Sequence, residues 1–217
     1  IPATLCVAAL FGMRDFAVGT TLKQTEVLMS VLVGLVVLGE GVSPLGLGAI
    51  GLGLVGVLLL SDAPGIGWRR VASPSAGLGL LSGLMFAVSG VGYRGAALSL
   101  PDGDAVLRAL VTLACVTAAQ ALAMALWLVW RERGEIGRTL AAWRMAGPMG
   151  LLSLAGSACW FTAFALQTVA YVNALGQVEL ILSLAASRLV FGERLSRAEA
   201  GGLAVLTASL LLLILVA

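Results

Sequence analysis

The fold class carried by this sequence is all-α and polytopic, a membrane protein with eight transmembrane helices, and three observations predict it. The first is composition. Hydrophobic residues make up 60% of the chain, charged residues 11%, and the mean hydropathy is +1.06. A soluble domain carries about 25% charged residues. A globule of 217 residues cannot hide this much apolar surface from water, so its solvent is lipid. The second is segment length. Eight apolar runs suffice, or nearly so, to cross a hydrocarbon core of about 30 Å at about 1.5 Å per residue. The third is a duplication that keeps polar residues inside apolar helices both times it occurs.

In chain order the runs cover residues 2–20, 21–38, 44–60, 76–98, 105–130, 147–167, 169–191 and 198–216. The second and third are somewhat short. The longest connections are 61–75, which holds Pro64, Gly65, Gly67 and Pro74, and 131–146. No soluble domain fits in either. The stripes Gly79-x-x-x-Gly83-x-x-x-Ala87 and Ala200-x-x-x-Ala204-x-x-x-Ala208 each offer a flat face for a neighbouring backbone. Basic residues divide unevenly. Lys23, Arg69, Arg70, Arg131, Arg133, Arg138, Arg144, Arg188, Arg194 and Arg197 fall on one side, Arg94 and Arg108 on the other. The positive-inside rule puts the first group in the cytoplasm and Ala217 outside.

Several chemistries lose their residues at once. There is no His, which removes the usual zinc and haem ligands and the His-based nucleophile arrangements. Cys6, Cys115 and Cys159 lie far apart in apolar runs and read as small apolar residues. No metal and no cofactor is expected. Two overlapping G-x-G-x-x-G matches, from Gly46 and from Gly51, fall inside one span. A dinucleotide fingerprint needs a preceding strand and a turn in water. Neither nucleotide nor nucleic acid is expected as a partner. An intramembrane protease lacks its parts, since Asp15 has no second intramembrane Asp and Lys23 is the only lysine. Arginine-rich basicity amid abundant Ala and Gly suggests a GC-rich bacterial genome, and the expected location is the inner membrane. The apolar start at Ile1 lacks the basic flank of a signal peptide, and further residues are expected ahead of it.

The duplicated unit is the stretch 176–196, GQVELILSLAASRLVFGERLS, laid over 23–43, KQTEVLMSVLVGLVVLGEGVS. Without a gap, Gln24 meets Gln177, Glu26 meets Glu179, Ser30 meets Ser183, Gly39-Glu40 meets Gly192-Glu193, and Ser43 meets Ser196. The following helices align Gly48 with Gly201. The offset is 153 residues. The halves are 1–62 and 76–217 with a connection at 63–75, three helices against five. Equal halves would require two more helices at the front. Polar residues held at matching mid-helix positions of a repeat are the pattern of a secondary transporter.

A charge near the bilayer centre costs roughly 2.5–3.5 kcal/mol on insertion scales, so it faces the bundle interior. Arg14, Asp15, Glu26 and Glu179 are such charges. On a continuous seventh helix, Glu179, Ser183 and Ser187 share one face while Asn173 and Gln177 share another. One face can line a cavity and the other lock a neighbour. The candidate substrate or proton site is therefore Arg14, Gln24, Glu26, Asn173, Gln177 and Glu179. A glutamate would take a proton or a substrate ammonium, Arg14 would hold a carboxylate or pair with a glutamate, and the amides would fix orientation. Tyr93, Trp160, Gln167 and Tyr171 are candidate cavity walls, or interfacial anchors of the ordinary kind. The bland reading is that the same charges pair only to fix helix register. Glu40 and Glu193, beside glycines, read as helix-end residues.

With these residues in view, the chain resembles the drug/metabolite transporter superfamily, in particular the EamA-like permeases. The resemblance rests on Leu38-Gly39-Glu40 with Ser43 and on Phe191-Gly192-Glu193-Arg194-Leu195-Ser196, each followed by a Gly/Ala/Leu-rich helix. It implies a ten-helix permease of two inverted five-helix repeats around a central cavity. By that measure the chain holds three helices of the first repeat and all five of the second. It also implies export of small metabolites, such as amino acids, or of drug-like compounds. The Gln-x-Glu pairs at 24/26 and 177/179 lie outside the broad family pattern. Family habit places both termini in the cytoplasm, against the charge count. The expected function is transport by alternating access, coupled to protons through a glutamate, and not catalysis. Its rivals are a non-transporting membrane subunit whose buried charges are structural, and a passive channel.

Overall fold

The computed structural model describes residues 2–10, 19, 22–60, 73–131, 134, 137, 141–182, 185 and 197–216. Among them the chain forms α1 (Pro2–Leu10), α2 (Glu26–Leu38), α3 (Pro44–Leu60), α4 (Pro74–Ser99), α5 (Ala105–Arg131), α6 (Trp143–Leu166), α7 (Val169–Gly176) and α8 (Arg197–Val216). No strand occurs among the described residues. Among the described residues three helices are long and apolar enough to cross a membrane alone: α4, α5 and α6, of 26, 27 and 24 residues. The apolar helices α2, α3 and α8 and the stretch 169–182 are shorter. The chain divides into two compact units, residues 1–91 with 168–217, and residues 92–167.

The first unit shows what the duplicated Gly-Glu…Ser motif does physically. Gly39 takes φ 68°, in the left-handed region. It thereby stops α2 and turns its own N–H onto Leu35 O (3.1 Å) and that of Glu40 onto Gly34 O (3.2 Å). Four residues on, Ser43 Oγ accepts the Gly46 N–H at 3.1 Å. It acts as the N-cap of α3, with Pro44 at the first helical position, where proline's missing N–H costs nothing. The motif is a helix stop followed by a helix start. Its second copy, Gly192 to Ser196, lies outside the described residues.

From there α3 runs against α8 along Gly53, Gly56 and Val57 on one side and Gly202, Leu206, Ser209 and Leu210 on the other. A Cβ on Gly56 would lie 2.7 Å from the Leu206 backbone nitrogen, and one on Gly202 would lie 2.9 Å from Gly56 O. Lipid tails are as apolar as leucine, so close backbone approach rather than exclusion from water holds such helices together. Ser209 Oγ donates to Ala49 O at 2.6 Å and adds a polar stitch. The face of α8 that packs is thus Gly202, Leu206, Ser209 and Leu213, while Ala200, Ala204 and Ala208 are exposed. The alanine stripe expected to pack is corrected here: glycine at 202 allows a closer approach than alanine on the next face. Both G-x-G-x-x-G matches lie inside α3, a continuous helix. On α4, Gly79, Gly83 and Ala87 are buried, as that stripe's spacing predicts. α7 packs on α2, with Ala170, Tyr171 and Ala174 joining Val27, Ala49, Ile50 and Leu213 in one core cluster.

In the second unit, Asp104 Oδ1 accepts the Leu107 N–H at 2.8 Å and starts α5. α5 packs against α6 through Ala109, Leu113, Phe161 and Ala165, with Ala97 of α4. Arg94 is buried and donates from Nη1 to Phe164 O (2.7 Å) and Gln167 O (2.8 Å). A guanidinium there satisfies carbonyls at the end of α6 and complements its negative dipole end. Arg94 is therefore a helix-capping charge inside the fold. Arg108 likewise lies within α5.

Candidate functional site

Four of the six expected site residues converge in the first unit. Asn173, buried in α7, donates from Nδ2 to Glu26 Oε1 at 3.2 Å and to Ser30 Oγ at 2.9 Å. Ser30 Oγ in turn donates to Glu26 O one turn back, at 2.8 Å. The two α2 residues lie four apart, so one asparagine can bridge both. Glu26 Oε2 takes a third partner, Lys23 Nζ, at 3.5 Å. The Lys23 ammonium also stands over the Phe86 ring of α4, 4.8 Å from its centroid.

Beside this cluster the two repeat-matched glutamines meet. Gln177 Nε2 donates to Gln24 Oε1 at 3.4 Å. Each lies where its helix is interrupted. Residues 24–25 form a turn ahead of α2, and Gln177 is a turn between α7 and the helical residues 178–182. The local bonding repeats as well. Val27 N–H reaches Gln24 O at 3.5 Å, and the equivalent Leu180 N–H reaches Gln177 O at 3.0 Å. Both are i to i−3 bonds, the tighter 3₁₀ kind that marks hinges inside helices. The expected continuous spans at 21–38 and 169–191 are corrected accordingly, and Glu26 opens its helix instead of sitting in mid-run. A glutamine is apolar enough in its stem to look helical in the sequence, so the break was hidden.

The glutamines line a small cavity with Val27, Ile50, Gly53, Leu54 and Ser209, of which about 10 Å³ is open to the centre of a water-sized sphere. Such a space is at the lower limit for one water molecule and far too small for an organic solute. Gln177 Oε1 is buried and makes no hydrogen bond, an acceptor left over beside that space.

The remaining expectations fare differently. Glu179 is exposed on the turn after Gln177 and takes no part in the cluster. Asn173 and Gln177 keep their one-turn spacing, with Gln177 Nε2 3.4 Å from Asn173 O, while the face expected from Glu179, Ser183 and Ser187 runs outside the described residues. Arg14 and Asp15 lie outside the described residues, as does Ser183. Tyr171 is buried in the core with its hydroxyl 3.2 Å from Ser43 Oγ, where it supports the α2–α3 corner. In the second unit, Tyr93 stacks on Phe161 with ring centroids 4.5 Å apart. Trp160 is largely exposed and lies 5.7 Å from the Phe164 ring. Gln167 offers its carbonyl to Arg94. Sequence reasoning missed Lys23 and Phe86. Lys23, three residues before Glu26, was readable as an i, i+3 ion pair; Phe86 was not readable without the fold.

All-helical structure over the described residues, helices long and apolar enough to span a bilayer, and a polar cluster between helices define a multi-pass membrane protein. The chain belongs to the EamA-like transporter family, whose profile matches residues 74–215. That places it among membrane transporters of the drug/metabolite transporter superfamily, a class of transporters and not enzymes. Seven chains of known structure are similar. A crystal structure among them superposes with a TM-score of 0.71 at 19% identity, over 99% of this chain and 74% of that one; this is a likeness of fold. A comparison with curated proteins gives no match.

Proposed function

We propose that this chain is an exporter of small organic metabolites, such as amino acids or drug-like compounds, working by alternating access in a bacterial inner membrane. Eight spans cross the bilayer, three from a first five-helix repeat and five from a second of inverted orientation. The observation that carries the reading is the meeting of Gln24 with its repeat mate Gln177, each at a helix break, beside the Glu26–Asn173–Ser30 cluster. Equivalent residues of two repeats touch only near the axis relating them. Transporters of this build bind solute at the repeat interface, on interrupted helices. The narrow cavity there fits a closed state, which a rocking motion of the repeats would open. Glu26 is the proton-exchanging group, as the carboxylate that stands at this meeting point with Asn173 on one oxygen and Lys23 on the other. Arg14 and Glu179 are proposed as further solute contacts in another state.

One observation favours a purely structural role. Both Glu26 carboxylate oxygens have partners in the described fold, Asn173 and Lys23. Proton movement in liposomes separates the readings, measured on the chain against a panel of amino acids and small amines. Solute-stimulated proton flux that disappears in Glu26→Gln supports coupled transport. Flux unchanged in Glu26→Gln sinks the site assignment, and no movement of any solute by folded protein sinks the transport reading.

A further inference from the structure

Lys23 is the single lysine in a chain with twelve arginines, and it occupies a position built to hold an organic ammonium. Its Nζ lies 3.5 Å from Glu26 Oε2 and 4.8 Å from the centre of the Phe86 ring. A carboxylate and an aromatic face are the two groups that recognise alkylammonium ions when water is scarce. The carboxylate does not depend on Lys23 for its position. Asn173 holds the other oxygen at 3.2 Å and is itself tied to buried Ser30. The aromatic wall is also fixed independently. A Cβ on Gly83 would lie 2.8 Å from Lys23 O, so bare backbone at 83 brings α4 down onto this turn, and Phe86 follows one turn later.

The occupant, by contrast, can leave. Lys23 is 30% exposed and Glu26 18%, so one side of the pair is open. Lysine makes a point contact on a flexible stem, whereas arginine would lock a carboxylate with a two-pronged grip. Lys23 also stands just ahead of the turn at 24–25, so its departure changes the load on the helix break.

We propose that Lys23 is a tethered stand-in for the solute, and that the solutes carried at this site are small organic cations, primary to quaternary amines, which displace it from Glu26 and Phe86. This rests on the transport reading above and narrows its substrate class.

The test is equilibrium binding of choline and of its neutral isostere 3,3-dimethyl-1-butanol to the full chain in detergent. Self-occupancy lowers apparent affinity by the fraction of time the site is filled, so K23Q binds choline about tenfold more tightly than the parent. F86L weakens choline binding several-fold, about what loss of a cation–π contact gives, and E26Q removes it. The neutral isostere shows none of these changes. Should K23Q fold poorly, acetylating the single lysine of the folded parent removes the same charge and gives the same gain. Choline affinity that stays level or falls on neutralising Lys23 overturns the inference, as does an equal response from the neutral isostere. That failure is distinct from failure of transport. A chain that moves neutral or zwitterionic solutes into liposomes, yet gains no choline affinity in K23Q, keeps its transporter assignment and loses only this substrate class.

Discussion

At the scale of single residues, the polar groups in the first unit divide into satisfied and unsatisfied ones, and the division predicts opposite effects of substitution. Asn173 donates to Glu26 and to Ser30 from one amide nitrogen. Asn173→Leu leaves Ser30 and the carboxylate without that donor in a buried place. Removing one partner of a buried hydrogen bond costs about 1–3 kcal/mol, more for a charged group. Thermal unfolding in detergent should show the midpoint fall. Gln177 is the reverse case. Its Oε1 is buried without a partner, and its two Nε2 contacts are both long, at 3.4 Å. Gln177→Leu removes an acceptor that costs stability in the resting fold, so the unfolding midpoint should hold or rise while solute flux drops. A clear fall in the midpoint would mean that the glutamine is structural and that its proposed functional role is wrong.

At the scale of elements, glycine has different meanings at positions that look alike in the sequence. Gly48 and Gly56 are both interior to α3. Nothing lies within 4 Å of where a Cβ on Gly48 would sit, whereas one on Gly56 would press on the Leu206 main chain. Gly48→Ala should therefore be neutral or stabilising, up to about 1 kcal/mol from helix propensity. Gly56→Ala should destabilise, by about 1–3 kcal/mol as overpacking commonly does, because a backbone neighbour cannot swing aside. Parallel unfolding curves of the two variants check this, and equal midpoints would contradict the α3–α8 packing. Gly39 is a third kind. At φ 68° any side chain is strained, and Gly39→Ala should cost about 1–2 kcal/mol for a left-handed residue. That strain explains why glycine stands ahead of Glu40, a requirement of the helix stop and independent of any solute.

At the scale of the whole molecule, most of the architecture could be read in advance because membrane helices announce themselves by length and apolarity. The spans expected at 76–98 and 105–130 differ from α4 and α5 by one or two residues, and the expected 147–167 from α6 by a few. The duplication could be read too, through Gln24/Gln177 and Glu26/Glu179. It suggested equivalence where the fold is unequal: Glu26 is held by Asn173 and Lys23, while Glu179 is exposed. A repeat reports common ancestry of two segments, but Asn173, which holds Glu26, comes from a different helix, and that information is non-local. The helix breaks escaped notice because their cause, an i−3 hydrogen bond at a glutamine, leaves hydropathy unchanged. The two breaks together carry the last prediction. If rocking of the repeats parts Gln24 from Gln177 to open the cavity beside them, tying those positions together must stop the cycle. In a background with Cys6, Cys115 and Cys159 replaced by alanine, the pair Gln24→Cys and Gln177→Cys should be bridged by a short thiol cross-linker. Solute flux in liposomes should then fall to background and return on cleavage of the link. Full flux through the cross-linked protein would show that these two positions keep their spacing throughout transport, and the moving parts would have to be sought elsewhere in the fold.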